Sequence, residues 1–434
     1  MKTDATHLDG YLEAEAGHLK ITPALRAITA DARGAIAALP KWERGFHIFW
    51  LLGPLILLIE RTPADAWLTL LALTFAVRAV IKREGEWLRH FWVRAGFVFW
   101  LWCIFAGAVS DFPAYSVGEA LAWLRFPLFG MATAFWLAKD RRLLYAMLLS
   151  TAIGLVVMCG ILTAEMLIDG QKGGRLYWPY GDPVPGNYVA KVGLPAFTIM
   201  VAMAVSVRGR VAALSGIFAL ITMVISVMTG ERINFLIRAC GGMLAGLVWK
   251  PNWKRYLALV AVEVLAVVVI FSALPGTASR YTDQFIAGAT NPQKSVWLKT
   301  INGGWQVAQD NLMFGIGTAN YRLVSYEGIL DKYENVRPDV HPHNYYVQML
   351  LETGLTGFIL GVVFLWSIIW SCFRASLRNR DNVFVATAWV IPFGIFWPIA
   401  TSADFFGQWN NIFTWNAVAL AICSKNLIFD QSEK

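Results

Sequence analysis

Charge is scarce in this 434-residue chain: Asp, Glu, Lys and Arg supply 15% of it against 57% hydrophobic residues, and mean hydropathy is +0.51. So little polarity does not make a water-facing surface, which excludes a soluble, secreted or disordered protein. Cysteine is sparse as well. Cys103, Cys159, Cys240, Cys372 and Cys423 all lie in apolar stretches, without a CxxC pair or a partner at metal-ligand spacing, and read as small buried hydrophobes. The N-terminus does not read as a cleavable leader either. The first 45 residues are polar and mixed in charge, with no apolar core ahead of a small-residue cleavage site, so the first membrane helix is expected to do the targeting. Basic residues outnumber acidic ones, 37 to 29, for a net charge of +8, yet they form small clusters between apolar runs rather than a stripe. That pattern excludes a nucleic-acid track and makes the charge topological. Aromatics, by contrast, abound: 20 Trp, 27 Phe and 13 Tyr suit the two interfaces of a bilayer.

Apolar runs near the length of a bilayer-spanning helix number about twelve. They cover 46–60, 65–80, 91–109, 117–138, 143–168, 188–207, 211–228, 233–249, 256–274, 345–372, 383–400 and 408–423. The expected fold is therefore an all-α polytopic membrane protein. Alternate connections carry the basic residues: Lys82, Arg83 and Arg89; Lys139, Arg141 and Arg142; Arg208 and Arg210; Lys250, Lys254 and Arg255; Arg374, Arg378 and Arg380. These read as cytoplasmic, and an even helix count then puts both termini there.

Five regions follow: an N-terminal segment 1–45, helices over 46–274, a long outward loop 275–344, helices over 345–424, and a tail 425–434. In the first, Ala24, Leu25, Ile28, Ile36 and Leu39 beside Arg26, Arg33, Lys41 and Arg44 predict an amphipathic helix resting on the membrane. A shorter outward segment, 169–187, is rich in Gly, Pro and aromatics and reads as a turn-rich loop. Within the long loop, 295–309 and 320–333 read as short helices. Long ordered loops are usually functional, so chemistry is expected at the outer face.

The end of that loop reads HPHNYYVQMLLETGLTG. His7, His18, His47 and His90 fall on the cytoplasmic side, leaving His341 and His343 as the histidines available outside. A histidine at a helix start is either structural, bonded to a loop carbonyl, or a base able to take a hydroxyl proton near neutral pH. Asn344 is either the helix cap or an orienting partner.

His343-Asn344, nine residues, Gly354, two residues and Gly357 resemble the signature of the O-antigen ligase family. Trp297, Trp305, the run Asn311-Leu-Met-Phe-Gly315-Ile-Gly317 and Tyr321 are similar to the family's stretch upstream. Thr229-Gly230-Glu231-Arg232 resembles its turn of a small residue and arginine, and Gly186-Asn187-Tyr188 its Gly-Asn helix start. The resemblance spans about 186–370. Two positions depart from it: Glu231 stands for the usual serine, and Lys294 where relatives often have arginine.

The resemblance implies a membrane glycosyltransferase of GT-C-like architecture in a bacterial inner membrane, with its site on the periplasmic face. It would pass O-antigen polysaccharide from undecaprenyl diphosphate to a sugar hydroxyl of lipid A core, with no cofactor and no nucleic acid. Such a reaction needs a base for the attacking hydroxyl, and His343 is the candidate. It also needs cations for the diphosphate leaving group, for which arginine's planar fork is suited. Arg232 leads, the alternatives being snorkelling or pairing with Glu231. Arg280 is a second clamp candidate, and Lys191, Arg175 and Arg322 are further ones, Lys191 being equally able to snorkel. Asn187 and His341 join Asn344 as supporting residues. Arg125, inside an apolar run, either senses the diphosphate or pairs with Glu119, Glu165 or Glu263.

The outward loops hold scattered carboxylates but no Asp-x-Asp pair for a hard cation, so a metal-independent, inverting displacement is expected. Within the superfamily, an O-antigen polymerase and a protein O-oligosaccharyltransferase share the donor. The short 169–187 loop favours ligase over polymerase, and the short C-terminal segment tilts against protein transfer. From another class, a lipid-linked sugar transporter or flippase fits the helix number, but the two halves show no repeat.

Overall fold

Backbone amides within a bilayer must pair inside their own segment, and the apolar runs do so as helices. The computed structural model describes residues 21–291, 295–326, 328–334, 336–399, 401 and 403–427. Among them there is no β-strand, only an isolated bridge between Lys172 and Arg175. Lys294 lies outside the described residues, as do residues 1–20 and most of the tail.

In chain order the helices are α1 (Ile21–Ala38), α2 (Lys41–Leu51), α3 (Arg61–Ile81), α4 (Phe91–Ala108), α5 (Pro113–Trp123), α6 (Arg125–Ala132) and α7 (Arg141–Ile168). There follow α8 (Leu194–Ser206), α9 (Gly209–Met228), α10 (Arg232–Val248), α11 (Trp253–Ala273), α12 (Pro275–Thr290), α13 (Val296–Asp310) and α14 (Tyr321–Tyr326). The last are α15 (Tyr345–Arg378), α16 (Val383–Thr387), α17 (Val390–Phe396) and α18 (Gln408–Cys423).

Among the described residues, seven helical runs are long and apolar enough to cross a membrane: α3, α4, Pro113–Leu137, α7, α9, α11 and α15. They number eight if Pro185–Val192 and α8, bent by 54°, form one broken span. The other expected spans are helical but short or interrupted. Residues 46–60 divide between α2 and a turn at Gly53–Ile56, 383–400 divide between α16 and α17, and α10 and α18 have 17 and 16 residues.

Connections gather at two ends. Ser116 Oγ donates to the Thr318 carbonyl at 3.0 Å, Asn320 Nδ2 to Ser110 Oγ at 3.2 Å, and the Tyr345 amide to Thr401 Oγ1 at 3.4 Å. At the opposite end Lys82 Nζ meets Glu43 at 2.7 Å and Lys250 Nζ meets Asp381 at 2.8 Å. The 169–187 segment is turn-rich, and both short helices expected in 275–344 form, as α13 and as α14 with a 3₁₀ turn at Ile329–Lys332. Helix α12 is not among the elements expected from the residue pattern. Helix α1 also differs from a surface helix, since Ala24, Ala32 and Ala35 are buried and it lies against α7.

An aromatic core forms where α4, α5, α15 and α18 meet. Trp123 and Phe405 lie 5.5 Å apart by ring centroids, Phe99 and Phe405 6.0 Å, and Phe364 and Trp415 6.0 Å. In lipid such helices are held by close packing rather than by escape from water. Phe405 and Phe406 thereby anchor the loop that carries Asp404. Arg125 resolves simply: its Nε donates to Asp65 Oδ1 at 3.0 Å, and none of the three acids weighed from sequence is its partner. The pattern of residue types does not mark Asp65, which lies in α3 with both α4 and α5 between it and α6.

Candidate active site

Helix α15 begins where Asn344 turns its side-chain oxygen to the amides of Tyr346 and Val347, at 3.0 and 3.2 Å. This satisfies two of the unpaired N–H groups of the first turn, and Asn344 Nδ2 also donates to the Pro398 carbonyl at 2.9 Å. Asn344 is thus the cap. The residue before it, His343, has φ +54, a left-handed conformation that is uncommon for a residue with a side chain. Its amide points to His341 Nδ1 at 3.3 Å, and its Nε2 lies 3.3 Å from Asp339 Oδ2. The two imidazoles meet edge to face, 4.2 Å between centroids.

Asp339 is held in turn by Ser325, whose hydroxyl accepts from the Asp339 amide at 2.9 Å. Burial pushes the Asp339 carboxyl up, but its bond to His343 and the Val340 amide outweigh that, so it stays below the usual carboxylate range. Burial, and then the neighbouring His343, push the His341 imidazole down to about 4. His341 is therefore neutral at physiological pH.

One turn and more into α15, Glu352 accepts from the Ala319 and Tyr321 amides at 2.9 and 3.2 Å. Gln348 joins Glu352 to Asp404, which accepts from Gln348 Nε2 and from Arg322, each at 2.8 Å. The helix then breaks at Gly354, φ +67 and ψ −177. Here the Leu312–Gly317 strip lies along the break. Ile316 and Gly317 donate to the Leu351 and Glu352 carbonyls at 2.9 Å each, and Leu355 donates to Leu312 at 2.8 Å. A Cβ on Gly354 would overlap the Met313 carbonyl. The Gly-x-Gly turn and Gly354 therefore belong to one interlock that sets the height of His343's helix.

A second group forms at the same end, from three turns laid glycine against glycine. A Cβ on Gly230 would overlap the Gly174 carbonyl oxygen, and one on Gly174 would come within 2.5 Å of the Gly276 carbonyl oxygen. Each glycine has an arginine close behind it: Arg175, Arg232 and, one helical turn on, Arg280. Stacking the turns gathers the arginines. Arg280 Nε donates to the Gly230 carbonyl at 2.6 Å, and burial followed by the charges of Arg175 and Arg232 holds Arg280 below the usual arginine range. Among the described residues none of these three has a carboxylate ion-pair partner, and Arg175 Nε is buried without a hydrogen-bond partner. Arg280 also lines an open cavity of about 620 Å³ with Gln171, Gly174, Gly276, Ser279 and Asp283.

Glu231 does not pair with Arg232. It accepts instead from the Gly186 amide at 2.8 Å, from Asn187 Nδ2 at 3.2 Å and from Asn234 Nδ2. Past Asn187 the chain widens into a π-helical turn at Tyr188–Val192 that buries Lys191. Lys191 does not snorkel; its Nζ bonds Asn410 Oδ1, and Asn410 Nδ2 reaches both Tyr345 Oη and the Asp404 carbonyl. A run of side-chain bonds thus reaches from the Asp404 loop to Lys191, which feels the charge of Glu231 without bonding to it.

Arg232, Arg280 and Arg175 come together, with Asn187 and Lys191 along one side. His343, His341 and Asn344 come together with Asp339. Arg322 stands with the histidine group, on Asp404, rather than with the arginines. Asp339, Gln348, Asp404 and Asn410 escaped notice as site residues because no motif marks them, though Asp404 sits in a loop without any basic residue. Arg238 was also missed. It is fully buried, donates to the Val189 carbonyl and to Thr222 Oγ1 at 2.6 Å each, and lies 3.8 Å over the Phe197 ring. It takes up a carbonyl in the π-helical widening. Among the described residues, no three His, Cys, Asp or Glu side chains are placed to hold a metal ion.

The family whose sequence model is described as O-antigen ligase matches residues 217–362, so the resemblance is shown over that stretch. The match includes Arg232, Arg280, Arg322 and His343 but not Arg175, Asn187, Lys191, Asp404 or Asn410. No curated protein matches the chain. Among solved structures, a chain from "Structural coordination of polymerization and crosslinking by a peptidoglycan synthase complex" is 16% identical. It covers 78% of this chain and 98% of its own length at a TM-score of 0.46, too distant to bear on fold or function.

Proposed function

We propose that this multi-pass membrane protein, whose residues 217–362 match the O-antigen ligase family, is an O-antigen ligase with GT-C-like architecture. In this reading it works at the periplasmic face of a bacterial inner membrane, passing polysaccharide from undecaprenyl diphosphate to a sugar hydroxyl of lipid A core. The observation that carries the reading is the gathering of Arg175, Arg232 and Arg280, without carboxylate partners among the described residues, at the end of the bundle that also carries His343. With Glu231 as the one carboxylate among the described residues whose charge reaches them, three cations brought together beside a bilayer keep an excess positive charge that is costly unless a further anion completes it, and a lipid diphosphate enters from that bilayer.

In the proposed step the acceptor hydroxyl oxygen forms a bond to the anomeric carbon while the bond from that carbon to the diphosphate oxygen breaks. The bonding pair leaves with the diphosphate, where the arginines stabilise it. The hydroxyl proton passes to the His343 imidazole, and Asp339 stabilises the imidazolium. A single displacement inverts the anomeric configuration. Lys191 and Asn187 line the donor side; Asn344 and His341 hold His343 in place. Arg322 serves as the partner of Asp404 rather than as a phosphate ligand.

The test is reconstitution of the purified full-length protein with lipid-linked O-antigen, without ATP or divalent metal. Lipid A core, a second lipid-linked glycan and an acceptor protein are offered in parallel. Conjugation to lipid A core is expected, with His343→Ala slowing it by about 10² to 10⁴. Chain elongation or protein glycosylation in its place would make the protein a polymerase or a protein transferase. An unchanged rate in His343→Ala would remove the histidine from the mechanism.

A further inference from the structure

Glu231 is the acid that stands where the resembled family usually carries serine, and it lies beside the arginine group. Three donors fix its carboxylate: the Gly186 amide, the Asn187 side chain and the Asn234 side chain. The contact is close enough that a Cβ on Gly186 would come within 2.7 Å of Glu231 Oε1. Charged groups face it from every side. Arg175 approaches from the 169–187 loop, Lys191 from the broken helix and Arg280 from α12, where the neutral Tyr281 phenol also faces it, while Arg232 is its neighbour in the chain. One anion thus lies in the field of three cations, yet it forms no ion pair with any of them among the described residues.

We propose that Glu231 is a release-tuning residue, a built-in counter-anion that weakens the arginine group's hold on lipid diphosphate so that the spent carrier can leave. This rests on reading the arginines as the diphosphate clamp. The need follows from the chemistry of transfer. In the donor the diphosphate is esterified at both ends; once the sugar leaves with the acceptor, the freed terminal oxygen adds ionisable charge. A clamp of cations therefore grips its product more tightly than its substrate, and turnover stalls at release. A fixed carboxylate lowers the positive potential at the clamp, and because its own lone pairs are engaged by three N–H donors it does so without occupying the phosphate position.

The experiment measures binding of undecaprenyl diphosphate to the full-length protein in lipid nanodiscs, for wild type, Glu231→Gln and Glu231→Ser. Both variants remove the charge, and serine is the small residue of the resembled family, so a packing defect of one does not decide the result. Each is expected to bind the lipid diphosphate about tenfold more tightly, with product inhibition of conjugation tightening in step. Burial holds the Glu231 carboxyl up at about 7 against the Gly186 amide and the nearby cations. The ratio of wild-type to Glu231→Gln affinity, in which the ligand's own titration cancels, should therefore approach one as pH falls from 8 to 6. Equal or weaker binding by both variants would overturn the role of Glu231. If wild type binds undecaprenyl diphosphate no better than the uncharged polyprenol, the clamp itself is misread, and the inference falls with it.

Discussion

Asp339 shows how one residue outside the recognisable motif sets the chemistry of one inside it. Its carboxylate lies 3.3 Å from His343 Nε2 and is itself tethered by Ser325. A carboxylate at that place favours the protonated ring, which is the form the proposed step creates as the acceptor hydroxyl attacks and gives up its proton. Asp339→Asn keeps the shape and loses the charge, so it is expected to lower turnover by about tenfold or more while leaving donor affinity near wild type. It should also move the acidic limb of the pH–rate profile to lower pH, because the imidazolium then loses its counter-charge. A profile that does not move would make Asp339 a purely structural residue. The sign differs for His341, whose imidazole burial and His343 hold at about 4. It stays neutral through the working range, so its part is to accept the His343 amide, and replacing it by Asn should alter rate without moving the limb. Of this corner the sequence made the two histidines and the cap legible, through the loop-to-helix transition and the family spacing. Asp339 was not, since a lone acid in a loop is indistinguishable from a solvated one until the turn that carries it is closed.

The turns that gather the arginines make a prediction about an element rather than a side chain. Gly230 has φ +70, and any Cβ there would run into the Gly174 carbonyl. Gly230→Ala leaves every arginine in place in the sequence but forces the 228–231 turn away from the 169–187 loop, at a local cost of about 1 to 3 kcal/mol. It is expected to weaken lipid diphosphate binding by about tenfold, opposite in sign to the change at Glu231, while α9 and α10 remain packed and the apparent unfolding temperature falls only modestly. Unchanged binding in this variant would mean that glycine stacking is not what aligns the arginines. Elements of this kind were partly legible. Gly-Arg, Gly-Glu-Arg and Gly followed by Arg280 are visible in the sequence, yet their stacking joins Gly174 to Gly230 and to Gly276, turns far apart in the chain, which no local pattern encodes. The apolar runs announced helices correctly, but hydropathy cannot tell a straight span from one broken at Gly354 or widened at Tyr188–Val192. It therefore overstated how many runs are long enough to cross a bilayer alone.

At the scale of the whole molecule the arginine and histidine groups are assembled from separate parts of the chain, and the Lys191–Asn410 bond between their helices lies outside the matched 217–362 stretch. Lys191 comes from the broken helix and Asn410 from the last one; Asn410 in turn holds Tyr345, two residues after His343, and the Asp404 carbonyl. A lysine buried in a membrane bundle is tolerated only with a partner, so this bond is worth keeping for the spacing it imposes. If it sets the distance from arginines to imidazole, Lys191→Met and Asn410→Ala should each lower turnover with little change in donor affinity. The double variant should then be no slower than the slower single one. That non-additivity corresponds to a coupling on the order of 1 kcal/mol, about fivefold in rate, which a double-mutant cycle in the reconstituted system resolves. Strict additivity would show the two helices acting independently. A fall in donor affinity in Lys191→Met alone would instead make Lys191 a phosphate ligand, returning it to the role its sequence position first suggested.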